Sequence, residues 1–173
     1  MSDWCKNTLM CGEKLGKKIL KPHELEKGKL VFSLEKIIPL PKGVESVSNN
    51  WTREFWGTTG DAFESEVHYN KESHAYTINF ITLWTMPRMA IARLSEMYGD
   101  DNFIWMGICD ATDTMEIYLH DRETGLTKAM TTHEIDYYDK GAYDKMREYL
   151  LNPPTPPDKG IERYDSELKE FIR

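Results

Sequence analysis

The chain has 173 residues, 40% of them hydrophobic and 29% charged, which is enough apolar content to bury a core and too much for wholesale disorder. Its length suits one domain with modest decoration. No apolar run reaches the about 18 residues a membrane span needs, and Met1-Ser2-Asp3-Trp4 lacks a signal peptide's basic and apolar regions, so neither membrane insertion nor secretion is expected.

Net charge is −7 and unevenly spread: residues 1–60 hold ten Lys and Arg against seven Asp and Glu, residues 61–131 five against twelve, and residues 132–173 seven against ten. An acidic whole argues against duplex DNA as a partner, because phosphate affinity needs clustered Lys and Arg. The lysines at 14, 17, 18, 21, 27 and 29 read as a solvated helix face and loop. Cys5, Cys11 and Cys109 form no CxxC pair and no zinc spacing. They suggest no disulfide framework, so a reducing cytoplasm is the expected compartment. Cys11 and Cys109 lie in apolar runs, where cysteine behaves as a small buried hydrophobe.

In chain order, residues 4–11 read as a strand closed by Gly12, and residues 13–21 as a short helix with Leu15, Ile19 and Leu20 on one face. Pro22 ends that helix. Residues 29–34 read as a second strand running into Ile37-Ile38-Pro39-Leu40-Pro41, where two prolines forbid a central strand. A short helix is expected within 44–56, ended by Gly57. Residues 63–69 and 76–82 alternate as a hairpin about Asn70-Lys71-Glu72-Ser73. Pro87 opens the clearest element, a helix with apolar positions at 90, 91, 94, 97 and 98, closed by Gly99.

Residues 103–109 are a fully apolar, central-strand candidate, followed by strands at 115–119 and 126–131 around a turn at 121–125. A helix is expected over 139–151, packing Ala142, Met146, Tyr149 and Leu150. The prolines at 153, 154, 156 and 157 then make a stiff linker, 152–157, to a charged tail helix, 158–173. The expected organisation is one α+β domain over 1–151, a sheet with helices on one face and parallel crossovers through the helices, plus linker and tail.

Four landmarks occur in order: Trp4-Cys5-Lys6-Asn7; Phe32 through Ile37-Ile38-Pro39-Leu40-Pro41; Trp51-Thr52-Arg53-Glu54-Phe55-Trp56-Gly57-Thr58 reaching Asp61-Ala62; and Phe80-Ile81-Thr82-Leu83-Trp84-Thr85-Met86-Pro87. Over residues 1–120 this pattern resembles the Api92-like, or YubB ferredoxin-like, family of small proteins carried by phages and plasmids. The resemblance implies a ferredoxin-like core and a mobile-element origin, and it implies no activity. Thr59 and Gly60 stand where that family usually has Lys and Trp, and Met86 where it has proline.

Five tryptophans can either fill a core or stack on a ligand. Trp4, Trp84 and Trp105 read as core, whereas Trp51 and Trp56 lie in a polar stretch beside Arg53. Gly57-Thr58-Thr59-Gly60 can offer amides to an anion, Arg53 a two-pronged donor and Asp61 a turn cap, but the GxxxxGK[ST] pattern of a P-loop is absent. The candidate binding residues are therefore Trp51, Arg53, Trp56, Thr58 and Asp61. The histidines show no ligand or phosphoesterase spacing, and no catalytic residue, metal ligand or cofactor motif is assigned.

The expected function is that of a phage or plasmid accessory protein that binds a host protein, such as a defence component, through an acidic surface and residues 51–61. One alternative is a nucleotide or small-ligand sponge, with bases on Trp51 or Trp56 and phosphates on Arg53 and the glycine amides. Another is a phosphoester hydrolase using His120 with Asp110 and Asp113.

Overall fold

A computed structural model describes residues 4–109, 112 and 114–131. Asp110, Asp113, the helix expected over 139–151, the linker and the tail lie outside the described residues. Eight strands and three short helices follow in the order β1 (Trp4–Gly12), α1 (Glu13–Ile19), β2 (Leu20–Pro22), β3 (Leu30–Phe32), α2 (Asn49–Phe55), β4 (Thr59–Asn70), β5 (Ala75–Leu83), α3 (Arg88–Met97), β6 (Phe103–Cys109), β7 (Thr114–Asp121) and β8 (Gly125–Thr131), with a single 3-10 turn at Leu34–Lys36.

Six strands make one sheet in the order β4-β5-β1-β6-β7-β8, and β2 pairs with β3 in a separate ribbon. Every pairing is antiparallel. The expected ferredoxin-like α+β fold is thereby corrected: the described chain is mainly β, its longest helix has ten residues, and no neighbouring strands run parallel as a βαβ crossover would make them. Both hairpins expected from the sequence are present, and the difference lies in the remaining connections: α1 leads into the separate ribbon, and β1 lies between β5 and β6, antiparallel to both. Asn70 Oδ1 accepts from the amides of Glu72 and Ser73, at 2.9 and 3.2 Å, and folds β4 onto β5. Asp121 does the same for Glu123 and Thr124 at 2.8 and 3.3 Å, folding β7 onto β8. Tight hairpins can join only antiparallel strands.

Register assigns the side chains to two faces. Leu9 lies opposite Trp105 and Ile78, Asn7 opposite Gly107 and Phe80, and Cys11 opposite Phe103 and Tyr76. This first face carries the core. Leu15 and Ile19 of α1, Phe32 of the ribbon and Ala90, Ile91 and Leu94 of α3 all pack into it. The Phe32 ring lies 4.4 Å from Phe80 and 5.8 Å from Trp105, centre to centre. The alternate face carries Met10, Ile104, Met106, Ile108, Met115 and Ile117.

Cys5 and Cys109 are direct neighbours across β1 and β6 and form a disulfide. The expectation of no disulfide is thus corrected, and with it the argument from scattered cysteines to a reducing compartment. The partners are 104 residues apart in sequence, so only strand pairing reveals them. Cys11 is the free cysteine among the described residues. Among those residues, no helix is long and apolar enough to cross a membrane.

Gly16 lets α1 lie flush on the sheet, because a Cβ there would collide with the ring of Tyr76. Helix propensity alone would make Gly16→Ala stabilising by about 1 kcal/mol, whereas overpacking costs about 1–3 kcal/mol. The buried, rigid ring makes the steric term win. Urea denaturation of Gly16→Ala is expected to show a net loss of up to about 2 kcal/mol; a gain would contradict this packing.

Candidate functional site

The segment 51–61 runs from α2 through a turn into the start of β4, with the turn against the start of α3. Ser48 caps α2, its Oγ accepting from the Trp51 amide at 3.2 Å. Trp51 stacks on Phe55 at 4.8 Å between ring centres and meets Trp56 edge-on at 5.4 Å. Trp56 is only 2% exposed, and its indole N–H donates to the Ile38 carbonyl at 2.9 Å. Trp56 is therefore core, packed under the Pro-rich segment.

The polar groups of this segment act within the fold. Arg53 Nε donates to Thr59 Oγ1 at 2.9 Å, and Thr58 Oγ1 donates to the Leu83 carbonyl at 2.6 Å. Asp61 accepts from Ser33 Oγ and the Leu34 amide, both at 2.6 Å, and from the Ala62 amide at 2.7 Å. It thereby anchors the 3-10 turn at Leu34–Lys36. The Gly57 amide donates to the Thr52 carbonyl at 3.1 Å, and the Gly60 amide to Thr52 Oγ1 at 3.0 Å. Chain proximity thus unites Trp51, Arg53, Trp56, Thr58 and Asp61, but both glycine amides of the anion-loop reading are already engaged.

Gly57, at φ +80°, is needed for a close approach. A Cβ there would lie 3.1 Å from the amides of both Arg88 and Met89 at the start of α3. A chain of hydrogen bonds, buried at its Trp105 end and partly buried at its Gly57 end, fixes the same junction from below. Trp105 Nε1 donates to Asn7 Oδ1 at 3.1 Å, and Asn7 Nδ2 donates to Thr82 Oγ1 at 3.0 Å. Thr82 Oγ1 donates to the Thr85 carbonyl at 2.9 Å, and Thr85 Oγ1 donates to the Gly57 carbonyl at 2.6 Å.

Between Thr82 and Thr85 the backbone breaks strand alternation. Trp84 takes φ +72°, a left-handed conformation that a bulky residue adopts only under constraint from its surroundings. Its side chain is 50% exposed instead of joining Phe80 and Thr82 on the core face. Met89 is 52% exposed, and Phe55 and Trp4 are also exposed. The backbone of Trp84, Met89 and Phe55 meets here, where the Trp56 carbonyl accepts from the Ala90 amide at 3.4 Å and Thr85 Oγ1 donates to the Gly57 carbonyl, whereas Trp4, opposite Leu83 in register, turns to the other face of the sheet and meets Phe63 edge-on at 6.2 Å. The expectation that Trp84 is core fails at this break in alternation, Trp4, also expected as core, is exposed as well, and Trp105 is buried. The sequence reads Trp84 as a packing aromatic, and its positive φ, invisible in the sequence, accompanies its outward position.

The start of α3 is clamped to the sheet by Arg88, whose Nε and Nη2 donate to the two Glu116 oxygens at 2.8 and 2.7 Å. Tyr118 Oη donates to Glu116 at 2.8 Å, and Lys128 Nζ lies 3.3 Å away. Burial by itself would raise the Glu116 pKa. The bonds from Arg88 and Tyr118 and the positive charges of Arg88 and Lys128 outweigh it and hold the carboxyl at about 2. Burial and then Glu116 push the Tyr118 hydroxyl up to about 12.

The residues of the hydrolase alternative are not assembled among the described residues. His120 is buried, with Nδ1 2.8 Å from the Asp101 carbonyl oxygen and its ring stacked on Phe103 at 4.9 Å. Asp110 and Asp113 lie outside the described residues. Burial, followed by nearby Asp101, pushes the Cys11 thiol up to about 12, the opposite of nucleophile activation. No group of three or more His, Cys, Asp or Glu among the described residues is placed to hold a metal ion. A groove of about 400 Å³ lies between the ribbon and the bulged start of β4. Lys21, His23 and Lys29 line it together with Glu24, Asp61 and Glu64, so its charge is mixed.

Comparison with known proteins identifies no relative: no family model matches the chain, and no curated protein and no solved structure matches it.

The Glu116 carboxyl is ordinarily near 4.5 and near 2 when folded. A depressed folded pKa means its stabilisation is complete above the ordinary value and is lost as pH falls towards 2. Glu116→Gln is expected to cost about 2 kcal/mol at pH 7, a value reduced for the exposure of Arg88. That difference shrinks below pH 4.5 and disappears near pH 2. A pH-independent difference in chemical denaturation would contradict the clamp.

Proposed function

We propose that the chain acts by binding another protein through the apolar surface around Trp84, Met89 and Phe55. The observation that carries this reading is Trp84, half-exposed and held at φ +72°. A non-glycine residue in that region costs on the order of 1–2 kcal/mol, and an exposed indole recovers little of that by burial. A rigid, outward aromatic suits the centre of a protein interface, where tryptophan is enriched among the residues that dominate affinity.

The acidic balance of the chain favours a partner with a complementary basic rim. In this proposal the setting comes from the sequence resemblance: a phage or plasmid accessory factor that occupies a host protein such as a defence component. Within residues 51–61 the outward contribution is then Phe55 with the exposed face of Arg53 and Glu54, while Trp56, Thr58 and Asp61 support from behind.

Trp84→Asn tests the proposal, because asparagine tolerates the left-handed region and offers no apolar surface. Its folding stability is expected to stay within about 1 kcal/mol of the parent, since relief of strain offsets the lost partial burial. In a capture experiment from host lysate, a protein retained by the parent chain is expected to be lost with Trp84→Asn. Equal capture by both chains would overturn the proposal. So would native mass spectrometry showing a bound small molecule and no protein.

A further inference from the structure

The second face of the sheet poses a question that the described elements leave open. Met10, Ile104, Met106, Ile108, Met115 and Ile117 are at most 9% exposed, and Met106, Met115 and Ile117 are fully buried. Their register places them opposite the face that holds Leu9, Phe80 and Trp105. The described helices and ribbon whose packing is known all lie on that first face. Gly16 of α1 faces Tyr76, Met86 before α3 faces Gly107, Arg88 of α3 holds Glu116, and Phe32 of the ribbon packs on Phe80 and Trp105. Six aliphatic and thioether side chains on three adjacent strands cannot be this dry without a cover.

We infer that the cover is the chain's own C-terminal portion, with the amphipathic stretch 139–151 laid across β1, β6 and β7. Three observations select this occupant. First, β8 is paired to β7, one of the covered strands, so the chain leaves the sheet beside the surface to be filled. Second, residues 132–173 follow β8, ample length to turn back over the sheet. Third, Ala142, Met146, Tyr149 and Leu150 recur at helical spacing, and Asp144 and Glu148 fall on the opposite side. Thirteen helical residues extend about 20 Å, and three strand centres span about 10 Å, so one such stretch crosses the whole apolar patch. The sheet would then be a middle layer with a core on each side, and the acidic groups of the stretch would form its outer surface.

Methyl NMR of the full-length protein, labelled on its methionines, tests this directly. Cross-relaxation is expected between the Met146 methyl and the methyls of Met10, Met106 or Met115 within one molecule. Full-length Met146→Glu/Leu150→Glu is expected to expose those three methyls to a soluble paramagnetic agent, and Glu148→Lys to leave them protected. If the double variant fails to fold, the wild-type contacts decide alone. Three results would overturn the inference. In the first, the contacts run only between differently labelled copies, so that a second chain is the cover. In the second, the three methyls are accessible in the wild-type protein. In the third, they are shielded with no contact to Met146.

Discussion

The arrangement depends on one buried amide. Asn7 sits in the central strand β1 on the core face, between Phe80 and Gly107. Its Oδ1 accepts the Trp105 indole N–H, and its Nδ2 donates to Thr82 Oγ1 and to the Cys5 carbonyl, each at 3.0 Å. A tryptophan buried in the middle of an apolar core needs such an acceptor, because an unsatisfied indole N–H there costs about 1–3 kcal/mol. Through Thr82 and Thr85 the same chain of hydrogen bonds reaches the Gly57 carbonyl. The core tryptophan and the turn that projects Trp84 are therefore parts of one hydrogen-bonded unit.

This coupling explains how a strained residue persists. Trp84 is pinned on both sides: Thr58 holds the Leu83 carbonyl, and Thr85 is tied to Gly57 and Thr82. Gly57 in turn presses on the first amides of α3, and Arg88 locks that helix to Glu116 on β7. Surroundings this rigid can hold an unfavourable backbone, and such positions concentrate at functional sites. The polar residues of 51–61 brace this turn, and Phe55, Trp84 and Met89 beside them are exposed.

Much of the local structure was legible from residues alone. Pro87 and the apolar spacing at 90, 91 and 94 marked α3, Asn70 marked the β4–β5 turn, and the unbroken run Phe103 to Cys109 marked a central strand. The global arrangement was not. Alternation finds strands but not their neighbours, so the antiparallel order, the β2–β3 ribbon and the Cys5–Cys109 pairing needed the fold. Tryptophan burial was equally hidden. Trp56 looked like a loop residue and is core, because Ile38 in the Pro-rich segment supplies its acceptor. Trp84 looked like core and faces out, at a positive φ that the sequence does not show. Within the segment 51–61, Trp56 and Thr58 are buried, and the exposed Trp84, Met89 and Trp4 lie outside it.

Trp84 is held outward by a core built around Trp105, and the proposed function has a partner cover it. Site-resolved hydroxyl-radical oxidation of the five tryptophans, read by mass spectrometry, tests this account most directly. In the free protein Trp84 and Trp4 should react fastest, with Trp56 and Trp105 silent; in the captured complex Trp84 should become protected. Oxidation of Trp105 as fast as Trp84 in the free protein, or an unprotected Trp84 in the complex, would contradict it.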